Sequence, residues 1–199
     1  MNYEDALAYS NEITSLLFRY CMRIQPTGAL RRKEAVVDSI EMIASPQVVG
    51  TNSYWTSKGS DLSGEIPGMD RLEAGVSLLV AKGALNRLPD RADFSRIGGS
   101  HRPPPYVLSY RRATVVVYRV IAPSDWGIEF LLRTGDDDFL EFLEGKAKQR
   151  GFFLHNGRIE KNGKALEAPE ESDVLRALGL DWIEPQNRKR DFLALEGLL

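Results

Sequence analysis

The sequence predicts an α+β fold, with a mixed β-sheet and helices followed by a smaller region that contains a short antiparallel sheet. β-branched residues dominate residues 113–121 (ATVVVYRVI), which is typical of a buried strand. Apolar residues recur at helical spacing near the N-terminus and again over residues 136–150. Two Asn-Gly pairs, at 156–157 and 162–163, indicate hairpins and therefore the short antiparallel sheet.

The first region, residues 1–122, is predicted to begin with a helix over residues 3–23, because its apolar side chains recur three and four positions apart. The turn residues Pro26-Thr27-Gly28 interrupt the chain before a strand at 36–44. Four further segments follow in order: a Ser/Gly/Thr/Pro-rich loop over 45–68, a helix from Met69 or Asp70 to Gly83, an irregular or strand-like stretch over 84–112, and the strand 113–121.

The second region, residues 123–199, begins after a break at residues 123–127. Asp136, Asp137 and Asp138 favour a helix N-terminus, where backbone N–H groups and the helix dipole attract carboxylates. This helix presents one apolar face and ends at Gly151. A small antiparallel sheet is expected over 152–167, and a last helix between Pro169 and Gly179.

Composition limits the class of protein. The 199 residues are 43% hydrophobic, so a packed core is expected. The net charge of −2 excludes a broadly basic nucleic-acid-binding protein, but it leaves room for a local basic patch. The single cysteine, Cys21, cannot form an internal disulfide and favours a cytoplasmic location. No apolar run reaches the length needed to cross a membrane, so no membrane association is expected.

An ordered set of motifs runs along the chain: GALRR followed by DSIEM, then VVVYRV, WGIEFLLRTGDDDF, KQRGFFLHNGRI, APEESDVLRALGLDWIEP and finally Arg188. Over residues 4–190 this order resembles the palm and thumb of family X DNA polymerases, the DNA polymerase β group, and especially their short phage and bacterial versions. The resemblance implies a nucleotidyltransferase-type palm over residues 1–122 and a small α/β thumb over residues 123–199.

The same resemblance implies three metal-binding carboxylates, and this chain departs from that pattern. Counting from Gly28 places two of them at Ser39 and Glu41, and counting back from Gly127 places the third at Val117. Paired Mg²⁺ ions need several oxygen ligands, and valine offers none. We therefore expect a degenerate site with no catalytic residue, no bound metal and no cofactor, with Mg²⁺ required only if activity is retained. Asp38 is expected on the opposite strand face from Glu41.

A nucleotide or phosphate site is also implied by the resemblance, at Gly28, Arg31, Arg32, Thr134 and Gly135. The family's Gly-Ser pair is replaced by Gly28-Ala29, which removes a hydroxyl donor. Leu140 stands where the family often has a base-contacting asparagine. Two other interpretations stay open: the basic pair is a solvated turn, and Thr134 only shapes a turn and a helix end.

An arginine-rich stretch, residues 87–119, carries seven Arg against two Asp together with Tyr106 and Tyr110. Arginines interleaved with aromatic residues are typical of surfaces that track phosphates and stack bases. The candidate nucleic-acid-binding residues are Arg102, Tyr106, Arg111 and Arg112. The alternative interpretation is a solvated loop.

The function expected from these observations is that of a catalytically inactive DNA polymerase X-like protein that binds DNA or RNA or scaffolds a nucleic-acid complex. Two alternatives stay open. One is a residual or altered metal-dependent nucleotidyltransferase that uses Glu41 and Asp38, for which Mg²⁺-dependent nucleotide incorporation is the test. The other is a protein-interaction module that uses the former active-site cleft, for which salt-independent binding of a protein partner is the test.

Overall fold

The computed structural model describes residues 1–49, 69–89, 103–155, 158–195 and 197. The first region contains α1 (Tyr3–Leu17), a 3₁₀ turn (Phe18–Tyr20), β1 (Cys21–Pro26), α2 (Gly28–Arg31), β2 (Ile40–Pro46), β3 (Val48–Val49), β4 (Met69–Asp70), α3 (Arg71–Ala81), β5 (Asn86–Arg87), β6 (Tyr106–Tyr110) and β7 (Ala113–Arg119). The second contains a 3₁₀ turn (Pro123–Asp125), α4 (Trp126–Thr134), α5 (Asp137–Gln149), β8 (Phe153–His155), β9 (Arg158–Lys161), β10 (Lys164–Ala165), α6 (Glu171–Ala177), a 3₁₀ turn (Pro185–Asn187) and α7 (Arg190–Leu195). The predicted α+β fold class is confirmed.

A five-stranded mixed sheet with the order β1-β2-β7-β6-β5 forms the centre of the first region. Its two central strands, β2 and β7, run parallel, whereas the other neighbouring pairs are antiparallel. Helices α1 and α3 cover one face, where Ile13 and Val76 belong to the same buried cluster as Met42 and Val117. Because side chains alternate along a strand, the residues next to Met42 and Val117 point to the other face.

Helix α4 covers part of that other face of the sheet. Trp126 and Phe130 of this helix pack with Ile43 of β2 and with Val120, which follows β7. The apolar side chains of α4, α5 and α6 form a second buried cluster with Ile159 of the three-stranded sheet β10-β9-β8. Helix α4 therefore contacts both cores and positions the second region against the first.

Several predicted elements are confirmed. Phe139, Phe142, Leu143 and Ala147 are the buried residues of α5, and Asp136 caps this helix by accepting a hydrogen bond from the Phe139 backbone N–H at 2.9 Å. Asn162 and Gly163, with φ of 53° and 72°, form the predicted turn between β9 and β10. The Asn156-Gly157 turn, residues 50–68 of the predicted loop and residues 90–102 of the irregular or strand-like stretch lie outside the described residues. The described part of that stretch contains β5 and β6.

Other predictions were wrong at element boundaries. Helix α1 ends at Leu17, and Cys21 begins β1 while its side chain remains in the core. Strand β2 begins at Ile40, four residues later than predicted, because residues 33–39 form a turn in which Lys33 has φ of 58°. Helix α4 was not predicted from the sequence. All nine of its residues are buried, including the polar Glu129, Arg133 and Thr134. None of the helices in the described ranges is long and apolar enough to cross a bilayer.

Candidate functional site

A cleft of about 450 Å³ opens where the glycine turn before α2, the start of β2, the C-terminus of α4 and the N-terminus of α5 meet. Its walls contain four carboxylates and two arginines, together with one tyrosine and several small or apolar residues. The lining residues are Gly28, Ala29, Arg32, Asp38, Ser39, Glu41, Tyr118, Leu132, Arg133, Gly135, Asp136, Asp137 and Leu140.

The register of the two central strands corrects one of the three predicted metal positions. Glu41 pairs with Val116, and Val117 pairs with Met42. Val117 therefore lies on the opposite face from Glu41, fully buried in the cluster beneath α1 and α3. Counting back from Gly127 without a gap placed the third position one residue away from the cleft face. On that face, Tyr118 reaches the cleft.

Ser39 and Asp38 both line the cleft. Because β2 starts only at Ile40, the alternation of side chains does not extend back to Asp38. The prediction that Asp38 points away from Glu41 was therefore wrong. Asp38 is exposed at the rim of the cleft, whereas Glu41 is half-buried.

Glu41 lies against the turn that was predicted to bind phosphate. A Cβ built on Gly28, whose φ is +60°, would lie 3.0 Å from the carboxyl carbon of Glu41. The Tyr118 hydroxyl donates a hydrogen bond to Glu41. Burial raises the pKa of Glu41 above its ordinary value, although Arg133, Tyr118 and Arg32 each pull it down. The carboxyl group thus covers the glycine backbone that an incoming phosphate would approach.

These residues do not fit a pair of Mg²⁺ ions. Nowhere in the described parts of the chain do three His, Cys, Asp or Glu side chains form a group that could hold a metal. Glu41 is the one carboxylate that β2 or β7 directs into the cleft, and a guanidinium group, that of Arg133, lies in the same cleft. A hard divalent cation requires several oxygen ligands, and a neighbouring fixed positive charge opposes its binding.

Arg31 and Thr134 lie behind the cleft wall and hold the two regions together. Arg31 donates two hydrogen bonds to Glu171 of α6, at 2.7 and 2.6 Å, and a third to the Thr134 hydroxyl at 2.7 Å. Its guanidinium carbon lies 3.5 Å from the centre of the Phe130 ring. Thr134 is fully buried and donates to the Phe130 carbonyl oxygen. Both residues therefore connect the two regions and neither lines the cleft, and their contact with phosphate stays a prediction.

The other three residues of the predicted nucleotide site, Gly28, Arg32 and Gly135, do line the cleft. Arg32 donates a hydrogen bond to the Thr134 carbonyl oxygen at 2.7 Å and lies 3.4 Å from Glu34. A Cβ on Gly135 would lie 2.3 Å from the Phe139 ring, so this position requires glycine for packing. The cleft thus keeps one arginine of the predicted basic pair.

The arginine-rich surface is less basic than its sequence suggests. Arg87, Arg111 and Arg119 form ion pairs with Glu73, Glu12 and Asp70, respectively. Arg111 and Arg112 lie at the tip of the β6–β7 hairpin with φ of 46° and 74°, and both are exposed. Arg102 lies outside the described residues.

Tyr106 was predicted to stack on a base, and the structure corrects this interpretation. Its side chain is 5% exposed and belongs to the core beneath α1 and α3. Its hydroxyl accepts a hydrogen bond from Arg119 at 3.1 Å. The ring therefore has no free face for a base.

Sequence reasoning missed two charged residues of the site, Arg133 and Glu171. Arg133 follows Glu129 by four residues, a spacing that predicts an ion pair along one helix, and the two side chains lie 3.8 Å apart. This spacing was visible in the sequence, although α4 itself was not predicted. Glu171 gave no such indication, because its partners Arg31 and Arg188 are distant in sequence.

Comparison with known proteins shows what this fold is similar to. The family model for the DNA polymerase beta thumb matches residues 130–189, which include α5, the three-stranded sheet and α6. A solved structure of Leishmania infantum polymerase beta, a ternary P/T complex, superposes with a TM-score of 0.65 at 17% identity. The match covers 96% of this chain and 77% of that one. The chain has a family X DNA polymerase-like fold. No curated protein matches this polymerase β-like chain in sequence.

Proposed function

We propose that this protein is a non-catalytic polymerase β-like protein that binds nucleic acid through a palm-like region, residues 1–122, and a thumb-like region, residues 123–199. The division of the chain is part of the proposal. It is supported by the separation of the two large buried clusters, one of which ends at Val117 while the other begins at Ile128.

The proposal that the protein is non-catalytic rests on one observation, namely which side chains β2 and β7 present on the face of the sheet that lines the cleft. Glu41 is followed on this face by Ile43, and the neighbouring strand contributes Val116 and Tyr118. Two-metal nucleotidyl transfer requires carboxylates that clamp both ions, and one of these also accepts a proton from the attacking hydroxyl. A single strand carboxylate that is hydrogen-bonded to a tyrosine does not meet either requirement.

The support for nucleic-acid binding comes from the fold and from the position of Arg111 and Arg112. Because β7 runs parallel to β2 and Ile40 pairs with Val115, the hairpin tip lies at the same end of the sheet as Ser39. The tip precedes Val115 by three to four residues, which corresponds to about 10–13 Å of strand. The similar Leishmania infantum structure is a ternary P/T complex, which makes nucleic acid the first ligand to test.

Fluorescence anisotropy with labelled single-stranded, gapped and blunt DNA, and with single-stranded RNA, tests this proposal at two salt concentrations. We expect affinity to fall steeply as salt rises, because each neutralised phosphate releases counterions. Replacing Arg111 and Arg112 with Ala should weaken binding and flatten the log–log salt slope by up to about one unit for each lost contact.

Arg19 and Arg71 provide a matched control, since both are exposed and lie at the other end of the sheet, near Gln47. Replacing these two arginines with Ala removes the same charge and should leave the slope unchanged. Absence of binding by folded protein at low salt would refute the nucleic-acid part. Mg²⁺-dependent extension of a primer by the purified protein, abolished by Glu41→Gln, would refute the non-catalytic part.

A further inference from the structure

Three side chains of the cleft form a stacked polar cluster, composed of Glu41, Tyr118 and Arg133. The guanidinium carbon of Arg133 lies 3.9 Å from the centre of the Tyr118 ring. The Tyr118 hydroxyl bonds to Glu41, and the positive charge of Arg133 attracts the Glu41 carboxylate. The three side chains come from β2, β7 and α4, so the cluster forms only in the folded protein.

Arg133 is an unusual residue to find in this position. It is 9% exposed, and its Nε atom has no hydrogen-bond partner. Glu129, on the preceding turn of α4, lies 3.8 Å from the same nitrogen. A guanidinium group does not lose its proton at accessible pH, so burial leaves a permanent positive charge in the cleft wall.

We infer that the fixed charge of Arg133 opposes the binding of divalent cations at Glu41 and so excludes them from the cleft. A metal ion bound to Glu41 would share the cleft with this guanidinium group in a partly desolvated site. Repulsion between the two positive charges is large under those conditions. In family X polymerases bound metal ions supply the positive charge at this place, and here the guanidinium group of Arg133 supplies it.

Exclusion by Arg133 and a shortage of carboxylate ligands are two different reasons for the cleft not to bind a metal, and they predict different results. If the number of carboxylates alone decided metal binding, removing Arg133 would change nothing. If Arg133 excludes the metal, removing its charge should let Glu41 bind a divalent ion. The inference rests on the non-catalytic half of the proposed function and is independent of nucleic-acid binding.

Mn²⁺ titration of the full chain, followed by electron paramagnetic resonance of the free ion and without nucleic acid, tests the inference. Arg133→Met keeps the length of the aliphatic stem and removes the charge. We expect this variant to bind Mn²⁺ at least about tenfold more tightly than the unmodified protein. Arg133→Lys, which keeps a positive charge, should behave like the unmodified protein, and adding Glu41→Gln to Arg133→Met should abolish the gain.

Two outcomes would overturn the inference. One is that folded Arg133→Met binds Mn²⁺ no more tightly than the unmodified protein. The other is that the unmodified protein already binds Mn²⁺ at a site that is lost in Glu41→Gln, and this result is decisive even if the Arg133 variants do not fold. Arg133→Gln, which retains a hydrogen-bonding head group, provides a second neutral variant. Because no DNA is present, failure here leaves the DNA-binding result unaffected.

Discussion

A single residue, Glu41, lies in the cleft in surroundings that disfavour its own negative charge. Its carboxyl group is packed against Gly28 and beneath Tyr118, where water has limited access. Burial penalises the charged form more than Arg133, Tyr118 and Arg32 favour it, and the pKa of Glu41 is therefore raised. A carboxylate held in this state is a poor ligand for a hard cation.

Glu41→Gln should stabilise the protein at neutral pH. The folded-state pKa of Glu41 is raised above its ordinary value of 4.5, so the folded state binds the proton more tightly than the unfolded state does. Below pH 4.5 both states are protonated, and the charge carries no penalty. As the pH rises from 4.5 through the raised pKa, the unmodified protein loses stability relative to the variant. Urea unfolding between pH 4 and pH 8 measures this difference.

The control for this experiment is Glu141→Gln, which removes a negative charge from an exposed position on α5. Its effect accounts for the general consequence of lowering the net negative charge. If Glu41→Gln destabilised the protein at pH 7, the attraction to Arg133 and Tyr118 would exceed the desolvation penalty. The assigned direction of the pKa shift would then be wrong.

At the scale of elements, helix α4 decides how the two regions meet. Its Gly127 backbone N–H donates to the Ala168 carbonyl oxygen at 2.8 Å, just before α6 begins. A Cβ on Gly127 would lie 2.3 Å from the Glu170 carbonyl group, which is backbone and cannot rotate away. The glycine therefore permits a close approach between α4 and the start of α6.

Gly127→Ala and Gly145→Ala should have opposite effects on stability. The first substitution forces α4 away from residue 170 and should cost about 1–3 kcal/mol or more. The second lies within α5, where an added Cβ meets nothing within 4 Å, and should stabilise the protein by about 0.5–1 kcal/mol through helix propensity. Thermal and urea unfolding of both variants measure the two effects. Equal effects would show that the α4–α6 approach is not constrained.

At the scale of the whole molecule, a buried charge network joins the two regions. Glu171 of α6 is 5% exposed and accepts hydrogen bonds from Arg31 of α2 and from Arg188, which is fully buried. Arg23 of β1 adds a second, more exposed link through a bidentate pair with Glu170 at 2.8 and 3.0 Å. The relative position of the regions thus depends on one carboxylate shared by two arginines.

Glu171→Gln should destabilise the protein by about 3–5 kcal/mol, because it leaves the buried guanidinium group of Arg188 and the partly buried one of Arg31 without a carboxylate. Burial alone would raise the pKa of Glu171, but the hydrogen bond from Arg31 and the charge of Arg188 outweigh burial and lower it. The stabilising contribution is therefore complete above the ordinary pKa of 4.5 and is lost as pH falls through the lowered value. Urea unfolding at pH 7 and in acid tests both statements.

Glu144→Gln is the comparison for this prediction, since Glu144 forms an exposed pair with Lys148 on α5. Such surface pairs contribute about 0–1 kcal/mol. If Glu171→Gln cost no more than Glu144→Gln, the network would not hold the two regions together.

The sequence by itself determined the elements whose cause is local. A run of β-branched residues located β7, and helical apolar spacing located α3 and α5. Asp136, Gly151 and Asn162-Gly163 marked a cap, a stop and a turn. These features depend on residues within a few positions of one another, which a sequence displays directly.

The tertiary structure alone decided which side chains share the cleft. A shift of one residue in strand register moves a side chain to the opposite face of the sheet, so counting could not show that Val117 lies in the core and Tyr118 in the cleft. The pairing of Arg31 with Glu171 joins residues 140 positions apart, and the position of Arg133 depends on helix α4, which is buried along its whole length. Such contacts depend on how distant elements pack, because the free energy of burial depends on area and charge and not on sequence separation.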